Sequence, residues 1–309
     1  MKWKRYHIDY QQVWDDAVTQ ARNGHFMFMR RFMDYHKDRF PDASMIFYDE
    51  HDKVIGLLPA TYNAENQCFS THNGLTFGGL VLMPKTRTPQ VMEMFGEMMD
   101  FARNLGAKTL IYKQIPHIYH QNCSDEDSYA LFKNGAHLTS CGLSTTVTLP
   151  YSISELRRRK VKLAENQQVK LEKSENYEDF WKILQNVLKE RHDVRPVHSV
   201  EEIMLLAHNF PENIELHVAK LDGEVVAGTV LFINGKVIHT QYLAASEKGR
   251  ETGALDDLLS HLLKTRDYEF FDFGISTEDG GKILNDGLLF QKEGFGGHGI
   301  CYKTYEIKL

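Results

Sequence analysis

Two dipeptides constrain this chain more than any other feature. Asp222-Gly223 and Asn234-Gly235 separate three runs of strand-forming residues, Ile214 to Leu221, Glu224 to Ile233 and Lys236 to Ala245. Asp-Gly and Asn-Gly supply the positive φ that tight hairpins need, so the three runs predict an antiparallel meander. On either side of it the period changes. Gln168 to Lys173 alternates like a strand, and Tyr177 to His192 then carries Phe180, Trp181, Ile183, Leu184, Val187 and Leu188 at helical spacing. Ser199, with Glu202 three residues on, opens a second helix that Pro211 follows. Beyond the meander, Ala254, Leu255, Leu258, Leu259, Leu262 and Leu263 trace one helix face, Tyr268 to Ile275 reads as a buried strand, Ile283 to Glu293 as a helix, and Gly297 to Ile307 as a closing strand or strand pair.

The first half can be laid on the same order. Trp3 to Tyr10 reads as an opening strand, Gln11 to Asn23 and Met27 to Arg39 as two helices, and Ala43 to Tyr48 with Val54 to Leu58 as a hairpin. Gly74 to Met83 matches the last meander strand, Gln90 to Leu105 the Leu-rich helix, and Lys108 to Ile115 the strand after it. A local echo supports the overlay: Ala130-Leu131-Phe132 against Leu288-Leu289-Phe290, with the two phenylalanines 158 positions apart in a chain of 309. The fold class is therefore α+β, layered, with two tandem domains at 1–150 and 151–309, each a mixed, mostly antiparallel sheet flanked by helices.

The length suits two cores of ordinary domain size. With 42% hydrophobic and 25% charged residues the chain is globular, and a formal charge of −6 argues against wrapping nucleic acid by bulk electrostatics, so a polyanion must be met at a local basic patch. No apolar run is long enough to span a membrane or to form a signal peptide, which predicts a cytoplasmic protein without membrane insertion. The four cysteines form no CxxC pair; reduced thiols are the simpler reading, and His117-x-x-His120 with Cys123 lacks the second pair a zinc site needs, so no metal is expected.

The doubled order of elements resembles the tandem GCN5-related N-acyltransferase (GNAT) architecture. Three stretches make the second half similar to the FemABX-like peptidyltransferase group: His239-Thr240-Gln241-Tyr242-Leu243-Ala244-Ala245-Ser246, Phe271-Asp272-Phe273-Gly274-Ile275-Ser276-Thr277-Glu278, and Leu284-Asn285-Asp286-Gly287-Leu288 running into Gln291-Lys292-Glu293-Gly294-Phe295-Gly296. The resemblance implies an N-acyltransferase that moves an acyl group from acyl-CoA to an amine of a small molecule or cell-envelope precursor, an amino sugar or peptidoglycan peptide. Its alternatives are aminoacyl transfer from charged tRNA, with Arg157, Arg158 and Arg159 as docking patch, and a catalytically silent tandem scaffold. The first domain, with no phosphate loop between Pro84 and Pro89, is expected to be a degenerate copy.

Candidate residues follow. Gly249, Arg250, Thr252, Gly253 and Ala254 would bring backbone N–H groups and a helix N-terminus to a pyrophosphate, although they depart from the family's usual Gly-x-Gly spacing and equally suit a plain turn. Backbone N–H groups along Gln241 to Leu243 are placed to stabilise an oxyanion. Asp272 and Glu278 are the carboxylates for proton transfer or amine binding, and Tyr242 the general acid, against readings as a turn cap, a solvated acid and a packing tyrosine. His192, which with His198 flanks a loop, together with His239, Asn285 and Lys292, is expected on the substrate side; Asn285 as helix cap and an exposed Lys292 are the structural alternatives.

Overall fold

The computed structural model describes residues 1–192 and 194–309; Asp193 lies outside the described residues, as do the side chains of Arg191 and His192. The chain folds into two compact units. One comprises Met1–Gly142 with Thr277–Ile283 and Cys301–Leu309, the other Leu143–Ser276 with Leu284–Ile300. The first unit thus includes two segments from near the far end of the sequence, where the sequence reading placed one cut at residue 150.

In the first unit, β1 (Lys2–Arg5), β2 (Met45–Tyr48), β3 (Val54–Leu58) and the two-residue β6 (Val81–Leu82) form one antiparallel sheet. β4 (Thr61–Asn63) pairs antiparallel with β5 (Cys68–Ser70), and β5 pairs parallel with β7 (Thr109–Lys113). The helices are α1 (Gln11–Gln20), the four-residue α2 (Arg30–Met33), α3 (Thr88–Asn104) and α4 (Glu126–Lys133). Three expectations fail here. The strand from Trp3 stops at Arg5, because the His7 ring accepts the Asp9 N–H and turns the chain into a 3₁₀ turn at Ile8–Tyr10. The helix expected over Met27 to Arg39 survives only as α2 between 3₁₀ turns at Phe26–Phe28 and Asp34–His36. Its centre is the buried Arg30, whose guanidinium binds both Asp34 and Asp42 and stacks on the Tyr6 ring at 3.7 Å. A buried cation needs such partners, and meeting them outweighs helical regularity. Gly74 to Met83 is likewise strand only at β6.

The second unit holds the meander. Here β9 (Lys170–Ser174), β10 (Ile214–Leu221), β11 (Glu224–Asn234) and β12 (Val237–Ala245) are antiparallel neighbours in that order, and β12 pairs parallel with β13 (Phe270–Ile275). On its other edge β13 pairs with Ser144, Thr146 and Val147 of β8 (His137–Val147), a strand the sequence reading missed. The hairpin glycines have the expected φ of 85° at Gly223 and 58° at Gly235. The helices are α5 (Glu155–Asn166), α6 (Tyr177–His192), α7 (Val200–Asn209), α8 (Glu247–Thr252) and α9 (Ala254–Thr265). The Leu255, Leu258, Leu259, Leu262 and Leu263 stripe of α9 is buried against Ala219, Leu231, Ile238 and Phe271 of the sheet, which removes most of five leucine side chains from water at about 2 kcal/mol each. Short strands β14 (Thr277–Glu278) and β15 (Ile283–Leu284) precede α10 (Asp286–Glu293), which starts three residues later than expected, and β16 (His298–Lys308) closes the chain.

Candidate active site

In the second unit β12 departs from regular pairing on both edges. Against β11 the register passes from Val230↔Tyr242 to Leu231↔Thr240, so Gln241 is the extra residue of a β-bulge. Against β13 the parallel register runs only from Val237↔Phe270 to His239↔Asp272 and then stops. Gly274, at φ 74°, bends β13 away; a Cβ there would sit 3.3 Å from Cε1 of His239. Two parallel strands that part beyond His239, with a bulge two residues later, leave main-chain groups of Gln241 outside the ladder.

Asp272 stands at the fork. It is fully buried, and groups from three strands meet it. Nδ1 of His239 lies 2.7 Å from Oδ2, Thr146 Oγ1 donates to Oδ1 at 2.9 Å, Ser144 donates to the same oxygen, and the Gly274 N–H points to it at 3.4 Å. Thr146 is directly opposite Asp272 in the β8–β13 register and Ser144 two residues away, on the same face. An ionised Asp272, which can only accept, would place the ring proton on Nδ1 and leave the Nε2 lone pair free. Lys292 of α10 completes the surroundings. Its ammonium donates to the carbonyls of Gly274 and Ile275, each at 2.8 Å, and burial pushes it down to about 8 while the Asp272 charge acts in the opposite sense. Lys292 is buried, not exposed.

Tyr242, the next site residue on β12, is also buried. Its hydroxyl lies 2.6 Å from Nδ1 of His198, and the Trp181 ring of α6 meets it edge-on at 5.0 Å. Gln241 and Leu243 are half-buried beside it. Asn285 caps α10 by accepting the Leu288 N–H at 3.1 Å. Glu278 is exposed and belongs to the first unit, whereas Asp272 belongs to the second. The His192 side chain lies outside the described residues. Ser144, Thr146 and Trp181 were not foreseen as site residues. Nothing local marks the first two, which reach Asp272 across more than a hundred residues, and Trp181 reads as ordinary helix core.

The expected phosphate loop has a different structure. Ser246 caps the short helix α8 by accepting the Gly249 N–H, so residues 247–252 are helical. Gly249 is a packing glycine: a Cβ would lie 2.2 Å from the Val226 carbonyl. Thr252 Oγ1 donates to Lys248 O, and the exposed Arg250 donates to Ala245 O. Ala254 is fully buried. At Gly253, φ is 74° and a Cβ would lie 2.4 Å from the Lys160 carbonyl, so α5 lies directly on the start of α9. Asp256, in the first turn of α9, accepts its own N–H and binds Arg157 of α5; burial raises its carboxyl and Arg157 counters. The positive end of α9 is thus already supplied with an anion from its own chain. Arg157 and Lys160 are held in this contact, the latter by the Arg250 carbonyl, and Arg159 pairs with Glu155, leaving Arg158 as the unengaged member of the basic run. Among the described residues no group of three or more His, Cys, Asp or Glu could hold a metal ion, and no helix is long and apolar enough to cross a membrane.

Comparisons with known proteins fit this geometry. Residues 153–279 match the acetyltransferase (GNAT) domain family. The fold is similar to that of FemX, with a TM-score of 0.71 at 12% identity over 100% of this chain and 98% of that one. It is also similar to the C-terminal domain of a putative lysylphosphatidylglycerol synthetase from Agrobacterium fabrum (TM-score 0.58, 16% identity, 96% and 91% covered) and to a tandem GNAT protein from the clavulanic acid biosynthesis pathway (0.52, 11%, 99% and 98%). No curated protein matches the chain in sequence. The doubled GNAT architecture, in its FemX-like form, is therefore established.

Proposed function

We propose that this GNAT-superfamily acyltransferase takes its acyl group from an aminoacyl ester, as carried by charged tRNA, and transfers it to an amine at the fork of β12 and β13. The observation that carries the choice of donor is the closed start of α9. A CoA pyrophosphate there would have to displace the Asp256 carboxylate and the Lys160 backbone. The likeness to the C-terminal domain of a putative lysylphosphatidylglycerol synthetase, whose name denotes an aminoacylated lipid, supports an aminoacyl group as the one transferred.

In this reading the acceptor nitrogen attacks the ester carbonyl while Nε2 of His239 takes its proton, with Asp272 holding the ring and stabilising the imidazolium. The Gln241 N–H, freed by the bulge, donates to the developing oxyanion. The carbon–oxygen bond to the ribose breaks, and Tyr242 gives the departing oxygen its proton from a hydroxyl oriented by His198. Lys292, whose charge interacts with that of Asp272, pins the bend at Gly274 through the Gly274 and Ile275 carbonyls.

A second reading keeps acyl-CoA as donor, favoured by the match of 153–279 to an acetyltransferase family and by the exposed Arg250 of α8. One pair of measurements separates the two. Charged tRNA with hydroxylamine as surrogate amine should yield the amino acid hydroxamate faster than the enzyme-free reaction in wild type, an enhancement that His239→Ala lowers by about 10²- to 10⁴-fold, while CoA and acetyl-CoA leave the melting temperature unchanged. A CoA-dependent stabilisation of about 2.7 kcal/mol at 100 times its dissociation constant, without that enhancement, would replace the ester donor by the thioester.

A further inference from the structure

Two of the four cysteines sit side by side in the first unit. Cys141 belongs to β8 and Cys301 to β16, and these strands are neighbours in the sheet. Contacts on either side of the pair fix how the strands run. A Cβ on Gly299 would lie 2.9 Å from Cδ1 of Leu143, and Thr139 Oγ1 donates to the Thr304 carbonyl at 3.2 Å. Residue numbers rise along one strand as they fall along the other, so the pairing is antiparallel. Two positions on from Gly299 and two back from Leu143 bring Cys301 opposite Cys141. Residues opposite each other in an antiparallel ladder have Cα atoms about 4.5–5.5 Å apart and side chains on the same face. That separation falls within the roughly 4.4–6.8 Å that a disulfide spans. The side chains meet as the backbone requires, for the Cys141 thiol is hydrogen-bonded to that of Cys301. Both are free thiols, Cys141 half-buried and Cys301 exposed.

We propose that Cys141 and Cys301 form a reversible redox site, oxidised to a cross-strand disulfide by a hydroperoxide such as hydrogen peroxide. Exposure assigns the roles. Cys301 lines a recess of about 60 Å³ with His117, Asp125 and Lys303, and is the thiol that an oxidant reaches. Its sulfur, as thiolate, attacks one peroxide oxygen; the O–O bond breaks, and a sulfenic acid and one water result. Cys141 is the resolving thiol. Its sulfur attacks that of Cys301, the S–S bond forms and the S–O bond breaks, and the departing hydroxide takes up a proton as the second water. The two thiols together lose two electrons and the peroxide gains them; a dithiol reductant reverses the change. Charge favours this order of events. Burial raises the Cys141 thiol above its ordinary value, the hydrogen bond and charge of Cys301 add to this, and Lys303 opposes. Once Cys301 is a neutral sulfenic acid, its charge no longer resists a thiolate at Cys141, while Lys303 still favours one. The other two cysteines supply comparisons: Cys123 is exposed, and Cys68 contacts the Ser70 hydroxyl and the Phe69 carbonyl.

The test treats the full chain with a slight molar excess of hydrogen peroxide, blocks the remaining thiols with iodoacetamide, and maps tryptic peptides without reduction. Trypsin places Cys141 in peptide 134–157 and Cys301 in peptide 293–303, so the disulfide joins two peptides that are otherwise separate. Free thiols should fall from four to two, the joined peptides should appear, and dithiothreitol should reverse both changes. Cys68→Ser with Cys123→Ser should retain the link. Cys141→Ser lacks the resolving thiol, and dimedone, which traps sulfenic acids, should label its Cys301 on the order of tenfold more than in wild type. Cys301→Ser should leave Cys141 unlabelled. Equal labelling of Cys301 in wild type and Cys141→Ser would overturn the proposal, because the neighbouring thiol would then resolve nothing. A disulfide that joins two chains on a non-reducing gel, in place of the link between 134–157 and 293–303, overturns it as well. So does oxidation confined to Cys123 with Cys141 and Cys301 intact.

Discussion

His239 and Asp272 are partners in the last register pair before β12 and β13 part, and the same two residues share a 2.7 Å contact between ring nitrogen and carboxylate. Strand pairing therefore fixes the one side-chain orientation that leaves Nε2 of His239 available at the fork. A proton-transfer group aligned by a buried acid contributes typically 10²- to 10⁴-fold to rate. His239→Ala should lower hydroxamate formation by that factor. Asp272→Asn, which keeps the size but lets the ring adopt the other tautomer, should lower the rate constant with little change in substrate KM. Ser144→Ala should show a smaller loss in the same direction, because Thr146 still donates to Asp272. Unchanged turnover in His239→Ala would remove it as the base.

The contact between α5 and α9 makes a stability prediction independent of chemistry. Arg157 and Asp256 are each only about a tenth exposed, and removing one partner strands the other in a poorly solvated place. Arg157→Ala should cost about 3–5 kcal/mol, and Arg157→Met with Asp256→Asn clearly less than the sum of the single changes. Gly253→Ala meets both a positive φ and the Lys160 carbonyl, and should cost more than about 1 kcal/mol. Urea midpoints of wild type, Arg157→Ala, Arg157→Met, Asp256→Asn, the double variant and Gly253→Ala check this. Additive single and double variants would mean that the two helices are not coupled through this pair.

How far the sequence discloses this molecule depends on the range of the interaction concerned. The meander was legible because Asp222-Gly223 and Asn234-Gly235 act over four residues, and α9 because its leucine stripe repeats within one helix. The break of the expected helix at Met27 to Arg39 was not, since it turns on Arg30 finding Asp42 across a turn. The 246–253 stretch misled for a similar reason. Its glycines suit a phosphate loop, and only the Ser246 cap and the backbone of Lys160, ninety residues upstream, show that they serve packing. Asp272 stood out in the sequence as a carboxylate beside Phe271 and Phe273, yet its partners Ser144 and Thr146 come from a strand the sequence reading did not find. His239, expected on the substrate side, contacts Asp272.

Glu215 gives a prediction on acid stability. Burial would raise its carboxyl, but the bonds from His217 and Lys173 and the charge of Arg266 outweigh burial and hold it at about 2, against 4.5 when unfolded. A depressed carboxylate stabilises the fold fully above the unfolded value, and that contribution drains away as pH falls from about 4.5 through 2. The difference corresponds to roughly 3 kcal/mol. Glu215→Gln should therefore be less stable at neutral pH and lose less on acidification, which chemical denaturation at pH 7, 4 and 3 measures. Parallel losses in both proteins would show that other groups drive acid unfolding.

Lys292 sets rate and stability against each other. Burial lowers its ammonium to about 8 from 10.5, with Asp272 opposing. Between those values the unfolded chain binds the proton that the native one has released, so the free energy of unfolding rises with pH across that window. The cost of burying the charge is present below about pH 8 and disappears above it. Transfer should respond in the other sense, because a neutral amine no longer balances Asp272 beside His239 and donates less strongly to the Gly274 and Ile275 carbonyls. We therefore expect an alkaline limb in kcat/KM near pH 8, over a range where wild type becomes more stable relative to Lys292→Met. That comparison also cancels the contribution of Lys113, whose ammonium burial likewise brings to about 8. Lys292→Arg retains its charge throughout, and its profile, though lower, should stay level through pH 9. A limb at the same pH in the arginine protein would assign the titration to another group and leave Lys292 a structural role only.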